Sequence, residues 1–144
     1  MEKAFIDTNV VIELFRGRRS VVDFFRKIES REFIGFFNIV VFLETLHVFA
    51  QLSLGKRPLS LKKRPKELSK LDLKPVISAF SLLKRLPTDA IAQEEITEII
   101  QKYGLLPNDA LIAATCKYHD IAKIATFDSD FERVEFLEVI ELVE

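Results

Sequence analysis

Four acidic side chains lie against the most apolar stretches of the chain. Asp7 closes the first apolar run, Phe-Ile-Asp-Thr-Asn-Val (5–10), and Glu44 interrupts Ile-Val-Val-Phe-Leu-Glu-Thr-Leu (39–46). Asp109 opens Asn-Asp-Ala-Leu-Ile-Ala-Ala-Thr (108–115), and Asp128 follows a strand-like run in Ile-Ala-Thr-Phe-Asp-Ser-Asp-Phe (124–131). A carboxylate drawn out of water without a partner is costly. If several meet, a cation must hold them, and a hard divalent ion suits an all-oxygen donor set. Singly, each acid has a plainer explanation: a helix cap for Asp7, a dipole-favoured helix start for Asp109, a turn for Asp128. Glu44 shares a helical stripe with His47 and Gln51, which could be that helix's only wet face. One pocket accounts for all four at once.

Other chemistries find no support. The chain has no Gly-x-x-x-x-Gly-Lys-Ser/Thr cradle, no Gly-x-Gly-x-x-Gly turn and no Gly-x-Ser-x-Gly elbow. His47 has no second His or Cys at ligand spacing, which argues against zinc, and His119 ends a helix where its charge suits the dipole. The lone Cys116 lies in an Ala-rich helical pattern, so a small core residue is expected rather than a nucleophile. A single cysteine also points to a reducing, cytoplasmic setting.

To gather acids so far apart in sequence, the chain must fold as one unit. Its 144 residues suit a single domain, 1–144, able to bury about 70% of its unfolded surface. Apolar residues make up 49%, and thirteen Phe can fill a core. The net charge of −1 excludes nothing, but its distribution is uneven. Lys and Arg dominate from Lys56 to Lys74, opposed by Glu67 and Asp72, whereas from Asp128 onward Arg133 stands alone among acids. Such asymmetry suits either a polyanion-facing surface or solvated segments. The N-terminus enters a strand-like run at once, leaving no room for a signal peptide. Asn38, Glu44, Thr45, His47 and Gln51 break the apolar span from Phe33 to Leu54, so no membrane segment is expected.

Strands are expected at Lys3–Asp7, Phe33–Phe37, Lys84–Pro87, Ile121–Phe127 and Leu137–Val143. Helices are expected at Val10–Phe15 capped by Thr8 and Asn9, at Val21–Ile28 capped by Ser20, and at Ile39–Leu52 ending near Gly55. Further helices are expected at Pro75–Leu83, from a Thr88–Asp89 cap to Tyr103 stopped by Gly104, and from Pro107 to His119. The basic stretch with Pro58 and Pro65 reads as a loop or short helical arm. Short apolar strands alternating with helices imply an α/β fold with a mostly parallel sheet covered on both faces. Ligands then bind beyond the carboxyl ends of the strands, where strand order reverses. Asp7 and Asp128 both fall at such ends.

At these four motifs, in their order and spacing, the chain resembles the PIN-domain family of nucleases, and within it the small VapC-type toxins. The resemblance covers nearly the whole sequence, and 108–115 is its most specific motif. It implies a Rossmann-like αβα sandwich with strand order 3-2-1-4-5. It implies hydrolysis of single-stranded RNA with Mg²⁺ or Mn²⁺, a homodimer, and a VapB-type antitoxin that blocks the site. Asp7, Asp109 and Asp128 would hold one ion, and Glu44 would bind a second or orient the attacking water. Thr8, Asn108 and Thr126 would fix the carboxylate rotamers, and Asp130 would stand with them behind the ion-holding acids. Asp128 and Asp130 both suit the fourth position; Asp128 is favoured because it lies two residues after Thr126. Arg16, Arg18, Arg19 and the basic 56–74 segment are candidates to grip the strand. A small PIN protein outside toxin–antitoxin pairs, a non-catalytic RNA- or protein-binding module, and a phosphatase are the rivals. The phosphatase wants Asp-x-Asp, and here position 9 is Asn.

Overall fold

The computed structural model describes residues 1–55 and 57–143, and of residues 58 and 59 the backbone only. Lys56, part of the expected basic arm, and Glu144 lie outside the described residues. The sheet holds β1 (Glu2–Ile6), β2 (Phe33–Phe37), β3 (Lys84–Arg85), β4 (Lys123–Ala125) and β5 (Glu138–Ile140). Its order is β3-β2-β1-β4-β5, with every pairing parallel. The apolar runs become strands because a parallel sheet covered on both faces buries both sides of each strand. Phe5, Ile6, Ile124 and Ala125 are fully buried accordingly.

The helices are α1 (Thr8–Phe15), α2 (Arg19–Glu29), α3 (Ile39–Leu54), α4 (Pro58–Lys62), α5 (Pro65–Ser69), α6 (Lys74–Ser81), α7 (Gln93–Tyr103) and α8 (Pro107–Tyr118). A 3₁₀ turn spans Ser129–Arg133. The strands β1, β2 and β3 step outward in one direction. The chain then returns through α7 and α8 to place β4 on the other side of β1. Strand order therefore reverses between β1 and β4, and the crevice above their carboxyl ends is the site the topology creates. Gly35 in β2 lets neighbours close in: a Cβ there would sit 2.5 Å from the Leu83 side chain. Among the described residues no helix is long and apolar enough to cross a membrane.

Several element starts differ from the sequence expectation. The first helix begins at Thr8, and Asp7 rather than Thr8 or Asn9 caps it, its carboxylate accepting from the Thr8 N–H. The second begins at Arg19, with Arg18 at the cap position and Ser20 inside the helix, so Ser20 is not its cap. The Thr88–Asp89 pair does not start α7. Ile91 N donates to Thr88 O, closing a turn, and the helix begins at Gln93. The strand expected over 121–127 shrinks to 123–125, because the backbone beyond Ala125 turns to serve side chains of the crevice. The basic segment forms two short helices, α4 and α5, each opened by a proline.

Candidate active site

Asp7 leaves the carboxyl end of β1 and is only 5% exposed. Its Oδ1 accepts from Thr8 N at 2.8 Å and its Oδ2 from the Thr126 hydroxyl at 2.7 Å. Thr126 follows β4, and its hydroxyl is fully used. It donates to Asp7 and accepts from Asn9 Nδ2 at 3.3 Å and from Asp128 N at 3.0 Å. Asn9 Oδ1 in turn accepts from Phe127 N at 3.2 Å. Asn9 thus stitches α1 to the segment after β4. Sequence reading made it a helix cap, and no local signal points to a partner 117 positions away.

Glu44 comes in from the middle of α3. Its Oε2 accepts from the Thr8 hydroxyl at 3.1 Å and its Oε1 from Asn108 Nδ2 at 2.7 Å. Asp109 stands in the first turn of α8, where backbone N–H groups favour an anion. Asp128 Oδ1 accepts from Asp130 N at 2.9 Å, opening the 3₁₀ turn. Asp130 accepts from Arg133 Nη1 at 3.0 Å, and Arg133 is anchored on the Tyr103 and Gly104 carbonyls.

All four sequence-predicted acids line one cleft of about 360 Å³, with Thr8, Asn9, Glu13 and Arg16. Arg16 at its edge pairs with Glu13 at 3.0 Å. Carboxylate oxygens of Asp109, Asp128 and Asp130 approach within 4.8 Å of one another, the distance a shared cation spans. Asp130 thus stands with Asp109 and Asp128 rather than behind them. Asp7 and Glu44 sit at the wall, their oxygens already accepting from Thr8, Thr126 and Asn108. His47 is exposed on α3 outside the lining, and His119 contacts the Pro87 carbonyl.

The electrostatics follow from crowding like charges in a half-dry crevice. Burial pushes Asp7 up to about 6, helped by Glu44 and Asp128 and opposed by its bonds from Thr126 and Thr8. Burial, with the charges of Asp7, Asp128, Glu44 and Asp130, also pushes Asp109 up to about 6. The Cys116 thiol, enclosed in α8, is pushed up by burial and stays protonated. A cation placed among these acids would relieve the crowding that raises Asp7 and Asp109.

The sequence matches the PIN domain family over residues 4–137. It is 41% identical to Ribonuclease VapC2 of Methanocaldococcus jannaschii, over 97% of this chain and 94% of that protein. It is 38% identical to Ribonuclease VapC6 of the same organism, over 95% of each. Among solved structures, the fold superposes on a toxin–antitoxin complex from Klebsiella pneumoniae (TM-score 0.64, 22% identity, 98% of both chains). It also superposes on DNA-bound VapBC from Salmonella typhimurium (TM-score 0.66, 20% identity, 99% of this chain and 100% of that one). Those two likenesses speak to the fold. With the family match spanning nearly every element, and the acids gathered where strand order reverses, the chain belongs to the PIN-domain family.

Proposed function

We propose that this chain is an endoribonuclease that uses Mg²⁺ or Mn²⁺ to hydrolyse phosphodiester bonds of single-stranded RNA, and that it is the toxin of a VapBC-type pair. The observation that carries the reading is the meeting of Asp109, Asp128 and Asp130 oxygens within 4.8 Å, beside Asp7 and Glu44. An all-carboxylate set without His or Cys fits a hard ion such as Mg²⁺ or Mn²⁺. Asp109 and Asp128 would hold it, with Asp7 acting directly or through water and Asp130 completing the ring. When bound, the ion supplies relief of charge on the phosphate and activation of a water.

The chain's own groups do the rest. Glu44, held by Thr8 and Asn108, lines the cleft, and its carboxylate would orient the attacking water or accept its proton. Thr126 fixes the Asp7 rotamer and the Asp128 backbone with one hydroxyl. Arg16, at the cleft edge, binds a non-bridging phosphate oxygen and exchanges its Glu13 partner to do so. In-line attack leaves a 5′-phosphate and a 3′-hydroxyl. The relatives named ribonucleases, at 41% and 38% identity, support the substrate class. Neighbours solved as toxin–antitoxin complexes support a VapB-type antitoxin as partner, and the reading extends to a cytoplasmic homodimer.

The deciding experiment incubates the purified chain with end-labelled single-stranded RNA in Mg²⁺, Mn²⁺ or EDTA, beside Asp128→Asn. Cleavage in either metal, absent in EDTA and in the variant, is the expected result. Cleavage that persists in EDTA, or none with either ion, overturns it.

A further inference from the structure

The 3₁₀ turn that carries Asp130 ends on a cation, Arg133, to which the reading above gives no part. We propose that Arg133 is a positioning residue for the acidic ring. It holds the Asp130 carboxylate beside those of Asp109 and Asp128 by tying it to the carboxyl end of α7. The inference rests on the metal-dependent reading above and adds what sets the ring in place before an ion arrives.

Three bonds make the anchor. Arg133 Nε donates to the Tyr103 carbonyl at 2.9 Å, Nη2 to the Gly104 carbonyl at 3.2 Å, and Nη1 to Asp130 Oδ1 at 3.0 Å. Every nitrogen of one planar guanidinium is used, so the fork fixes orientation as well as distance. The two carbonyls lie where α7 stops, at Gly104 in left-handed backbone (φ +68°). Carbonyls at a helix C-terminus lack intrahelical partners and carry the negative end of the dipole, so a cation with several donors suits them. A second tie runs alongside. Glu135 Oε1 accepts from Lys102 Nζ at 2.7 Å and from the Tyr103 hydroxyl at 3.1 Å, and the Tyr103 ring meets Phe136 edge to face. The end of α7 is thereby a fixed post for residues 130–136.

Asp130 needs such a post. Its side chain is 43% exposed, and the bond from its own N–H to Asp128 Oδ1 fixes its main chain only. The like charges of Asp109 and Asp128 push its carboxylate toward water. A carboxylate has about four lone-pair sites, so one bond from Arg133 leaves capacity for an ion. Mg²⁺ tolerates little error in ligand placement, which makes a rotamer set in advance worth having. Charge alone predicts the opposite effect. A cation beside a cation site repels the ion, so on that account loss of Arg133 tightens metal binding. Positioning predicts that the same loss weakens it.

The test reads Mn²⁺ binding to the RNA-free protein, from the loss of the free-ion signal in electron paramagnetic resonance. Arg133→Gln and Arg133→Lys should each weaken binding roughly ten-fold, as removal of a group that orients a metal ligand does. Lysine keeps the charge and loses the fork, so it should not rescue. In an Asp130→Ala background, Arg133→Gln should change the affinity no further, because its effect passes through that carboxylate. A merely structural Arg133 would weaken binding by the same factor in both backgrounds. Circular dichroism and thermal melts in EDTA establish that each variant is folded. Unchanged or tighter Mn²⁺ binding in Arg133→Gln, wild-type affinity in Arg133→Lys, or equal losses in the two backgrounds would overturn the proposal. Mn²⁺ binding that follows the expected pattern without any cleavage of RNA by the wild type would instead count against the nuclease reading alone.

Discussion

Asn38 Nδ2 donates to Thr115 Oγ1 at 3.1 Å, both side chains fully buried, and so joins the start of α3 to the middle of α8. The same Asn38 caps α3, its Oδ1 accepting from Val41 N at 3.1 Å. The helices it ties carry Glu44 and Asp109, and Asn108 closes the same gap at the surface. Asn38→Ala should lose a cap worth about 1 kcal/mol and a buried bond of similar size. The expected cost is about 2 kcal/mol, read as a lower urea midpoint at unchanged slope. Thr115→Val should cost less. A double-mutant cycle should show the two residues coupled.

Asp7→Asn keeps the acceptor for the Thr8 N–H and removes a buried negative charge. It should abolish cleavage and leave the metal-free protein, at pH 7.5, at least as stable as the wild type. Melting curves in EDTA beside a labelled-RNA assay check both halves. Retained metal-dependent cleavage would remove Asp7 from the site.

These two residues show what sequence can and cannot disclose. Asp7, Asp109 and Asp128 were legible because each breaks an apolar run at the end of an element, and their motifs resemble a known family. The sheet was legible from short apolar runs, though β5 covers only Glu138–Ile140 of its run and β4 is shorter than its own because Thr126 and its neighbours turn to hold the acids. Asn38 looked like an interruption between strand and helix; its partner is 77 positions away. Local preference makes Asn9 and Ser20 caps, whereas Asn9 is spent on a contact across the fold. The motif sets Asp130 behind Asp128, yet its oxygen stands with those of Asp109 and Asp128, because spacing within a turn does not say which carboxylate faces the crevice.

Acids raised by burial make metal-free stability depend on pH in a set direction. A carboxyl with a raised native pKa binds its proton more tightly when folded, so the native state is favoured at low pH. That advantage is lost as pH climbs through about 6, the value for both Asp7 and Asp109. For Asp7, up from 3.8, the difference is on the order of 3 kcal/mol. The exposed Glu2 and Glu135, lowered by bonds from Lys123 and Lys102, act in the opposite sense but at lower pH. In EDTA, the urea midpoint should therefore fall between pH 5 and pH 7.5, and Asp7→Asn should flatten the fall. A midpoint that rises across this window would contradict the crowding.

Metal should reverse that loss. An ion bound only by the folded state stabilises it by about 2.7 kcal/mol at a hundred times its Kd. Mg²⁺ or Mn²⁺ at millimolar concentration should raise the Tm by several degrees at pH 7.5 and by less at pH 5, where Asp7 and Asp109 hold protons. Asp109→Asn and Asp128→Asn should each remove most of the rise. Asp130→Asn should remove as much if its oxygen joins the ring, and little if it serves only Arg133. Differential scanning fluorimetry across the three variants ranks the donors.

The basic segment after α3 offers the last prediction. Lys62, Lys63 and Arg64 are exposed at the junction of α4 and α5, and Arg64 has Glu67 as partner at 3.6 Å. If this arm tracks the RNA backbone, replacing all three by Ala weakens binding without changing base preference. Each lost contact to a single strand should lower the slope of log K against log salt by about 0.7. Arg64 already spends part of its charge on Glu67, so a fall nearer that of two contacts than of three is expected. Titrations in EDTA from low to physiological salt give the slope directly. An unaltered slope would assign the arm to a protein contact, because only phosphate neutralisation releases counterions in proportion to the cations removed.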